Sequence, residues 1–295
     1  MNLDLVNKIK RLAIIALASD DQLIESIVLK GGNAIDLAYH DSSSISRTSY
    51  DLDFSIEDGD FEEDVAVISE RIHKTLVQTF GEHGFALIDY KFNNRPKTPT
   101  IEFWSGYQVT FKVLDQKIFN DNKDNISNQR RLAIPLKPGR SSTGPSPTFE
   151  LEFSKFEYVG SKAAIDVDGF TVYVYTPEMI VFEKLRAICQ QLPQYKGVIK
   201  SFSARPRARD FYDIHLIMEM HQLDANSNKN KELIAKIFGA KQVPLGFIKE
   251  ISTNKEFHKD NWDSVKDTVS KFEKSESFDF YFDYVVNTFQ PLTFP

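Results

Sequence analysis

Two aspartates, Asp51 and Asp53, flank a leucine in the segment SYDLDFSI and are candidates for binding a divalent cation. Residues 49–56 alternate as a half-buried strand does, with apolar side chains on one face and both aspartates on the other. Two carboxylates this close repel each other unless a cation lies between them. Hard oxygen ligands of this kind select Mg²⁺ or Mn²⁺, although exposed sheet faces also carry such charges routinely. The pattern therefore indicates either a metal site or a solvated strand surface.

A third carboxylate from a neighbouring strand would complete a metal site. The segment Thr148–Phe153, which reads TFELEF, alternates as a strand and places Glu150 and Glu152 on one face. We expect Glu152 to be the third ligand. Glu150 stays open as an alternative because it lies two residues away on the same face.

A pair of glycines ahead of the aspartates could bind phosphate. The segment Ser26–Lys30 is apolar enough for a short strand. Gly31 and Gly32 predict a turn, and Asn33–Tyr39 has helical spacing. Backbone N–H groups at the start of such a helix bind anions. A phosphate site beside metal-binding carboxylates is the layout that a nucleoside triphosphate with Mg²⁺ requires, so the combination favours the metal site.

The order of elements around these motifs predicts a mixed α+β protein. Strand and helix patterns alternate up to Tyr175 and the chain then reads as helical, so we expect a sheet domain over 1–175 and a helical domain over 176–295. Further expected elements are an amphipathic first helix, a helix over Phe61–Phe80, strands over Phe85–Phe92, Ile101–Leu114 and Phe170–Tyr175, a long loop over Phe119–Pro147, and helices from Thr176-Pro177 to about Leu192 and over Ala208–Met220, Lys229–Phe238, Asp260–Lys274 and Phe278–Phe289.

The composition is that of a globular protein, and its net negative charge means that any nucleic acid would have to bind at a local basic site. The chain has 295 residues, of which 41% are hydrophobic, and a formal net charge of −6. Such a chain is not drawn to polyanions as a whole, so metal ions and basic clusters would hold a nucleotide or nucleic acid. Its one cysteine, Cys189, lies at an apolar position of a predicted helix, which excludes a disulfide framework and favours a reducing, cytoplasmic compartment. Charges in the first helix make it neither a signal peptide nor a membrane span.

Blocks along the chain resemble one known family. KGG from Lys30, followed by R-x-x-x-D-L-D-F from Arg47, looks like the first motif of the nucleotidyltransferases of the DNA polymerase β superfamily, in particular the AbiEii/AbiGii and MenT group of toxins. EMIVFEKLRA from Glu178 resembles the family's lysine-bearing helix. RARDFYD from Arg207 is similar to its R-D-x-x-D signature.

Two positions depart from the family pattern. Asn33 stands where serine or threonine usually follows the glycines, and we expect its amide to hold a phosphate oxygen instead. The toxin group carries Lys-x-Asp or Lys-x-Glu at the third carboxylate, whereas this chain reads Glu150-Leu151-Glu152 without a lysine.

The resemblance implies a polymerase β-like sheet, followed by a helical domain, and a role for each matched residue. Asp51, Asp53 and Glu152 would bind Mg²⁺ or Mn²⁺ ions. The implied catalytic residues are Asp51, Asp53, Glu152, Lys184 and Asp210. The implied nucleotide-binding residues are Lys30, Gly31, Gly32, Asn33, Arg47, Lys184, Arg209 and Asp213. From the residues alone, Lys184 would be a solvated lysine paired with a nearby acid, and Asp210 the ion-pair partner of Arg207 or Arg209 at a helix start.

The function that the resemblance implies is Mg²⁺-dependent transfer of a nucleoside monophosphate from an NTP to an acceptor hydroxyl. It further implies a tRNA 3′ end as acceptor, a cognate antitoxin as partner and a role in phage defence. One alternative is a nucleotide-binding protein without transferase activity, and another is a transferase that modifies a protein or a small molecule. Basic clusters that would hold RNA, or would be ordinary solvated loops, comprise Lys196, Lys200, Arg205, Arg207 and Arg209, and separately Arg130, Arg131, Lys137 and Arg140.

Overall fold

The computed structural model describes residues 2–39, 50–98, 101–139, 144–266 and 276–294 and confirms the predicted mixed α+β class. Its helices are α1 Leu3–Ala18, α2 Asp21–Ser26, α3 Gly31–Ala38, α4 Val65–Glu82, α5 Gln116–Asp121, α6 Ile126–Leu132, α7 Pro177–Cys189, α8 Ala208–His221, α9 Asn228–Ala240, α10 Lys255–Lys259, α11 Trp262–Lys266 and α12 Phe278–Phe289. Its strands are β1 Ile27–Lys30, β2 Leu52–Ile56, β3 Phe85–Arg95, β4 Gly106–Asp115, β5 Thr148–Ser154, β6 Ala163–Val167 and β7 Phe170–Val174. Short 3-10 helices cover Glu102–Trp104, Pro193–Gly197 and Leu245–Asn254. Arg47, an expected nucleotide-binding residue, and Arg140 lie outside the described residues.

One sheet places the acidic strands side by side. The described strands follow the order β3-β4-β5-β2-β1-β7-β6, with β2 parallel to β5 and β1 parallel to β7. In this register Asp53 of β2 lies between Lys30 of β1 and Glu152 of β5. Because paired residues of neighbouring strands project to the same face, these three side chains are neighbours on one surface of the sheet.

The opposite face of these strands is apolar and belongs to the core. Phe54 and Phe153 pair in register on β2 and β5, are buried, and stack with 5.4 Å between ring centroids. Phe149 and Leu151 complete the buried positions of β5, and the residues between them are only half-buried. Each such side chain stabilises the fold by about 2 kcal/mol. A slip of one residue would turn the carboxylates into the core, so the apolar face fixes the register of the acidic one.

Contacts divide the chain into two compact units. The first contains the sheet and ends at Val174, and the second contains the helices that follow Tyr175, together with the short described segments 35–39 and 160–162. The predicted boundary between 1–175 and 176–295 concerns independent folding and stays a prediction. No helix in the described part of the chain is both long and apolar enough to cross a membrane.

The helical unit begins as the sequence predicted. Thr176 accepts a hydrogen bond from the backbone N–H of Met179, and Pro177 occupies the first position of α7. Helix α7 packs on α8 and α9, and α8 packs on α12. Phe211 of α8 stacks on Phe282 of α12 with 5.2 Å between ring centroids.

The predicted long loop over Phe119–Pro147 is wrong as a description of the whole segment. It contains α6, whose first turn is capped by Asn125, which accepts a hydrogen bond from the N–H of Asn128 at 2.9 Å. Farther along, Lys137 pairs with Ser146 in an isolated antiparallel bridge. The polar composition concealed these elements because caps and short helices carry no apolar periodicity.

Several element boundaries differ from the predicted ones. Helix α3 begins at Gly31 itself, and α4 begins at Val65 rather than Phe61 because Asp64 caps it. Strand β4 begins at Gly106 rather than Ile101, after a 3-10 turn. The predicted helix Asp260–Lys274 is represented, among the described residues, by the short helix α11 alone, and α10 ends just before it at Lys259.

Strand β6 was missed in the sequence. It forms a hairpin with β7 through Asp168-Gly169, and both residues have positive φ angles, of 55° and 86°. This dipeptide is a strong hairpin signal, because only turns with left-handed residues match the twist of the two strands.

Candidate active site

The sheet brings the predicted metal-binding carboxylates onto one surface. Asp53 and Glu152 are register partners on the parallel strands β2 and β5, whose backbones are about 4.8 Å apart in such a pair. Asp51 precedes Asp53 by two residues, and Glu150 precedes Glu152 by two residues in the same strand. The structure therefore places Asp53, Glu150 and Glu152 on the predicted face of their strands, whereas Asp51 lies in a bend just before β2 rather than within the predicted strand.

Lys137 contacts two of these carboxylates. The ammonium of Lys137 contacts Asp51 Oδ1 and lies 2.8 Å from Glu150 Oε1. The other oxygen of Glu150 accepts a hydrogen bond from Gln108 Nε2 at 2.9 Å. Burial lowers the pKa of Lys137, but the two carboxylates outweigh it and the pKa is raised overall. Lys137 is thus a protonated, anchored cation inside the acidic cluster.

Glu152 is paired separately. Arg95, at the end of β3, contacts Glu152 Oε1 through its guanidinium. Glu150 and Glu152 therefore differ in surroundings, because the first has both oxygens engaged by Lys137 and Gln108 and the second faces Asp53 and an arginine that is largely exposed.

The donor chemistry of this cluster fits a hard divalent cation. Carboxylate oxygens from two adjacent strands are the ligands that Mg²⁺ and Mn²⁺ prefer. Within the described residues, however, no three acidic, histidine or cysteine side chains are gathered around one point as a ready-made metal site. An ion bound by Asp51 and Glu152 would have to displace the cations that contact them, Lys137 and Arg95.

The glycine turn lies against Asp53. Gly31 has a φ angle of +69°, which is strained for any residue that has a side chain. A Cβ atom placed on Gly31 would lie 3.5 Å from Asp53 Oδ2. Helix α3 starts at this glycine, so its first turn lies close to the carboxylate of Asp53 near the start of β2. Lys30, just before it, is buried, with its ammonium 3.6 Å from Glu157 Oε1.

The side chain of Asn33 makes two hydrogen bonds within the protein. Its amide nitrogen donates to the backbone carbonyl of Asp51 at 2.5 Å, and its amide oxygen accepts from the ammonium of Lys10 at 3.0 Å. Asn33 and Lys10 are both buried, although Lys10 belongs to the first helix. The Asn33 amide therefore ties α1 to the backbone of a predicted metal ligand, and its expected contact with a phosphate oxygen stays a prediction.

In the helical unit, Lys184 is clamped by two aspartates. Its ammonium lies 3.1 Å from Asp210 Oδ1 and 2.7 Å from Asp213 Oδ2. Burial lowers the pKa of Lys184, but Asp213 and Asp210 outweigh it and raise the pKa overall. Burial likewise raises the pKa of Asp210, yet Lys184 and Arg207 bring it below the ordinary value. The predicted ion pair is confirmed, since Asp210 lies 3.3 Å from Arg207 Nη1, but Lys184 is largely buried rather than solvated. A contact of Lys184 with a nucleotide stays a prediction.

The start of α8, which carries these aspartates, is held by residues that sequence reasoning missed. His258 Nδ1 accepts a hydrogen bond from the backbone N–H of Arg207 at 3.1 Å, and Asn261 Oδ1 accepts one from that of Ala208 at 3.2 Å. Burial lowers the pKa of His258 to about 4, so its ring is neutral and able to accept. Arg209, on the same turn, has an exposed side chain.

Comparison with known proteins identifies a family for this chain. Residues 14–284 match the family model described as nucleotidyl transferase AbiEii toxin, type IV TA system. Among solved structures, JHP933 from Helicobacter pylori is 17% identical, with a TM-score of 0.48, over 96% of this chain and 90% of that one. A proposed nucleotidyltransferase from H. pylori is 15% identical, with a TM-score of 0.47, over 97% and 93% of the two chains. No curated protein matches the chain.

Proposed function

Since this chain belongs to the AbiEii family of nucleotidyl transferase toxins of type IV toxin–antitoxin systems, we propose that it transfers a nucleoside monophosphate from an NTP to an acceptor hydroxyl. In this reaction the hydroxyl oxygen bonds to the α-phosphorus as the bond from that phosphorus to its bridging oxygen breaks. Pyrophosphate leaves, and the hydroxyl gives up its proton.

The observation that carries the proposal is the contact between the glycine turn and the acidic strand. The position of a Cβ on Gly31 lies 3.5 Å from Asp53 Oδ2, so the start of α3 and the carboxylate border the same space. Backbone N–H groups of Gly32 and Asn33 in this first turn would bind phosphate oxygens of the NTP. A phosphate held there would lie directly beside the carboxylate.

Asp51, Asp53 and Glu152 are the proposed ligands of the metal. Glu152 is preferred over Glu150 as the third ligand because it is the register partner of Asp53, whereas both oxygens of Glu150 are engaged. A divalent ion bound by these carboxylates would lower the pKa of the acceptor hydroxyl and offset the charge of the triphosphate. Asn33 supports this set by fixing the backbone carbonyl of Asp51.

Lys184, Asp210 and Asp213 are proposed to act as a nucleotide-binding group of the helical unit. The raised pKa of Lys184 keeps its ammonium charged, and the two aspartates hold it in one orientation. A charged lysine of fixed geometry suits a phosphate oxygen, since it places a point charge without further ordering. The exposed guanidinium of Arg209 would add a second cation.

RNA is the proposed acceptor, with the 3′ end of tRNA as the specific substrate. Three exposed basic residues, Lys196, Lys200 and Arg205, lie in the segment that leads into α8 and support a polyanionic acceptor on a chain of net charge −6. Transfer should then weaken steeply as salt rises. A cognate antitoxin, action in phage defence and a cytoplasmic site of action complete the proposal.

Label transfer tests this proposal directly. Purified protein is incubated with each α-³²P NTP, Mg²⁺ and bulk tRNA, and we expect labelled tRNA from the wild type and none from D53N. D121N is the matched control, because Asp121 is an exposed carboxylate at the end of α5 in the same unit, and it should retain full transfer. Equal transfer by D53N and wild type would refute the assignment.

Parallel incubations distinguish the other acceptors. Label appearing in a protein lysate or in small hydroxyl compounds, but not in RNA, would replace the tRNA proposal with a different transferase. Thermal stabilisation by NTP and Mg²⁺ without any labelled product would indicate nucleotide binding alone.

A further inference from the structure

We infer that Lys137 is a built-in counter-cation of the acidic cluster and must release Asp51 before a divalent ion binds. The inference rests on the proposed metal-dependent transfer and assigns a residue that sets the metal affinity of the site. The ammonium of Lys137 contacts both Asp51 and Glu150.

The backbone around Lys137 is held firmly. Its N–H donates to the carbonyl of Ser146 at 3.0 Å, and its own carbonyl accepts from the N–H of Ser146 at 3.0 Å. Leu136, the preceding residue, is fully buried. The lysine therefore enters the cluster from an anchored segment, and only its flexible side chain needs to move.

The two partners of Lys137 differ in freedom. Glu150 is also held by Gln108 at 2.9 Å, and its strand is paired on both sides. The side chain of Asp51 is 41% exposed, against 27% for Glu150 and 17% for Lys137. Asp51 is thus the carboxylate that can change partner, while Lys137 stays with Glu150.

This arrangement replaces a lysine missing from the third-carboxylate block. In the pattern of the toxin group, position 150 would be the lysine, but here it is a glutamate that binds a lysine from another segment. The positive charge is therefore kept next to the carboxylates, although it comes from a different part of the chain. Its contact with Asp51 makes it a competitor of the metal in the absence of nucleotide.

Manganese binding measured by electron paramagnetic resonance, without nucleotide, tests the inference. Because K137M removes a charge-assisted hydrogen bond that the ion must otherwise displace, we expect its Kd for Mn²⁺ to fall about tenfold below the wild-type value. K137Q removes the same charge with a shorter polar side chain and should show the same tightening. K112M is the matched control, because Lys112 lies in the same unit, 2.8 Å from Asp89 Oδ2, and its loss should leave the Kd unchanged.

Each outcome bears on one of two claims. An unchanged or weakened Kd in K137M and K137Q, with thermal unfolding like that of the wild type, would overturn the inference about Lys137. Equal tightening in K112M would also overturn it, because net charge alone would then explain the effect. If D53N binds Mn²⁺ as well as the wild type, or if no variant binds the ion, the proposed metal site itself is wrong and the inference falls with it.

Discussion

Replacing Lys184 by methionine should destabilise the helical unit strongly. The substitution keeps the length of the side chain and removes the ammonium that lies 3.1 Å from Asp210 and 2.7 Å from Asp213. The three side chains are only 16%, 9% and 14% exposed. The variant therefore leaves two partly desolvated carboxylates side by side without the cation that separates them.

The size of the effect follows from these distances. At an effective dielectric constant of about 20, each of the two attractions is worth about 5–6 kcal/mol before desolvation. Desolvation offsets much of this, and removing one partner of a buried pair costs about 3–5 kcal/mol. Arg207 lies 3.3 Å from Asp210 and continues to compensate one carboxylate, so we expect a loss of about 3 kcal/mol in the free energy of unfolding.

The two tryptophans allow each unit to be followed separately. Trp104 belongs to the first unit, and Trp262 is buried in the second against Phe278 and Tyr281. In a W104F background the tryptophan fluorescence comes from Trp262, so its change during urea unfolding follows the helical unit. In this background K184M is compared with the unsubstituted protein at pH 7.

The stability that the Lys184 cluster contributes should depend on pH through Lys184 and Asp210. The pKa of Lys184 is raised, so its stabilising contribution is complete below about pH 10.5 and is lost only at higher pH. The folded-state pKa of Asp210 is lowered, so its contribution is complete above about pH 4 and is lost as the pH falls further. The cost of K184M should thus be largest near neutrality and should shrink toward pH 4, where the stranded carboxylates take up protons.

A companion variant decides whether charge or packing causes the loss. The triple variant K184M/D210N/D213N has neither the cation nor the carboxylates and should recover most of the stability. A loss below about 1 kcal/mol in K184M would show an exposed pair of ordinary strength and refute the clamp. A triple variant no more stable than K184M would refute its electrostatic origin.

Two further predictions concern buried polar groups. The pKa of His258 is lowered to about 4 from the usual 6.5, so its neutral ring contributes fully to the stability of the helical unit above pH 6.5. This contribution is lost as the pH falls, and the free energy of unfolding should drop by about 2 kcal/mol from pH 7 to pH 5. Urea unfolding in W104F measures this fall, and an equal fall in H258Q would contradict it. Asn33→Ala should destabilise the first unit by about 1–3 kcal/mol, because it removes an acceptor from the buried Lys10 and a donor from the carbonyl of Asp51. Unfolding followed by Trp104 in a W262F background checks this, and an unchanged midpoint would count against the Asn33 contacts.

Alternation was sufficient to predict the acidic face of the sheet. In TFELEF and LDFSI, apolar residues at every second position define a buried side, so the carboxylates had to share the other one. The pairing of Asp53 with Glu152 could also be predicted, because two strands with the same alternation and charged faces were expected in one sheet. Local pattern therefore carried the part of the site that lies on β2 and β5.

Long-range partners could not be predicted in this way. Lys10 precedes Asn33 by 23 positions, and a lysine in an amphipathic helix does not by itself indicate burial against a distant amide. Lys137 lay in a segment predicted to be a loop, where a lysine is ordinarily solvated. Contacts such as these are set by how elements pack, for which residue spacing along the chain carries no signal.

The two departures from the family pattern meet at one residue. Asn33, in place of serine or threonine, holds the backbone carbonyl of Asp51, and Glu150, in place of lysine, holds the Lys137 that contacts the carboxylate of Asp51. A serine at position 33 is too short to span from Lys10 to that carbonyl, and a lysine at position 150 would repel Lys137. Each unusual residue thus has a partner in this chain that the usual one would lose, so restoring either family residue alone should disturb Asp51 rather than improve the site.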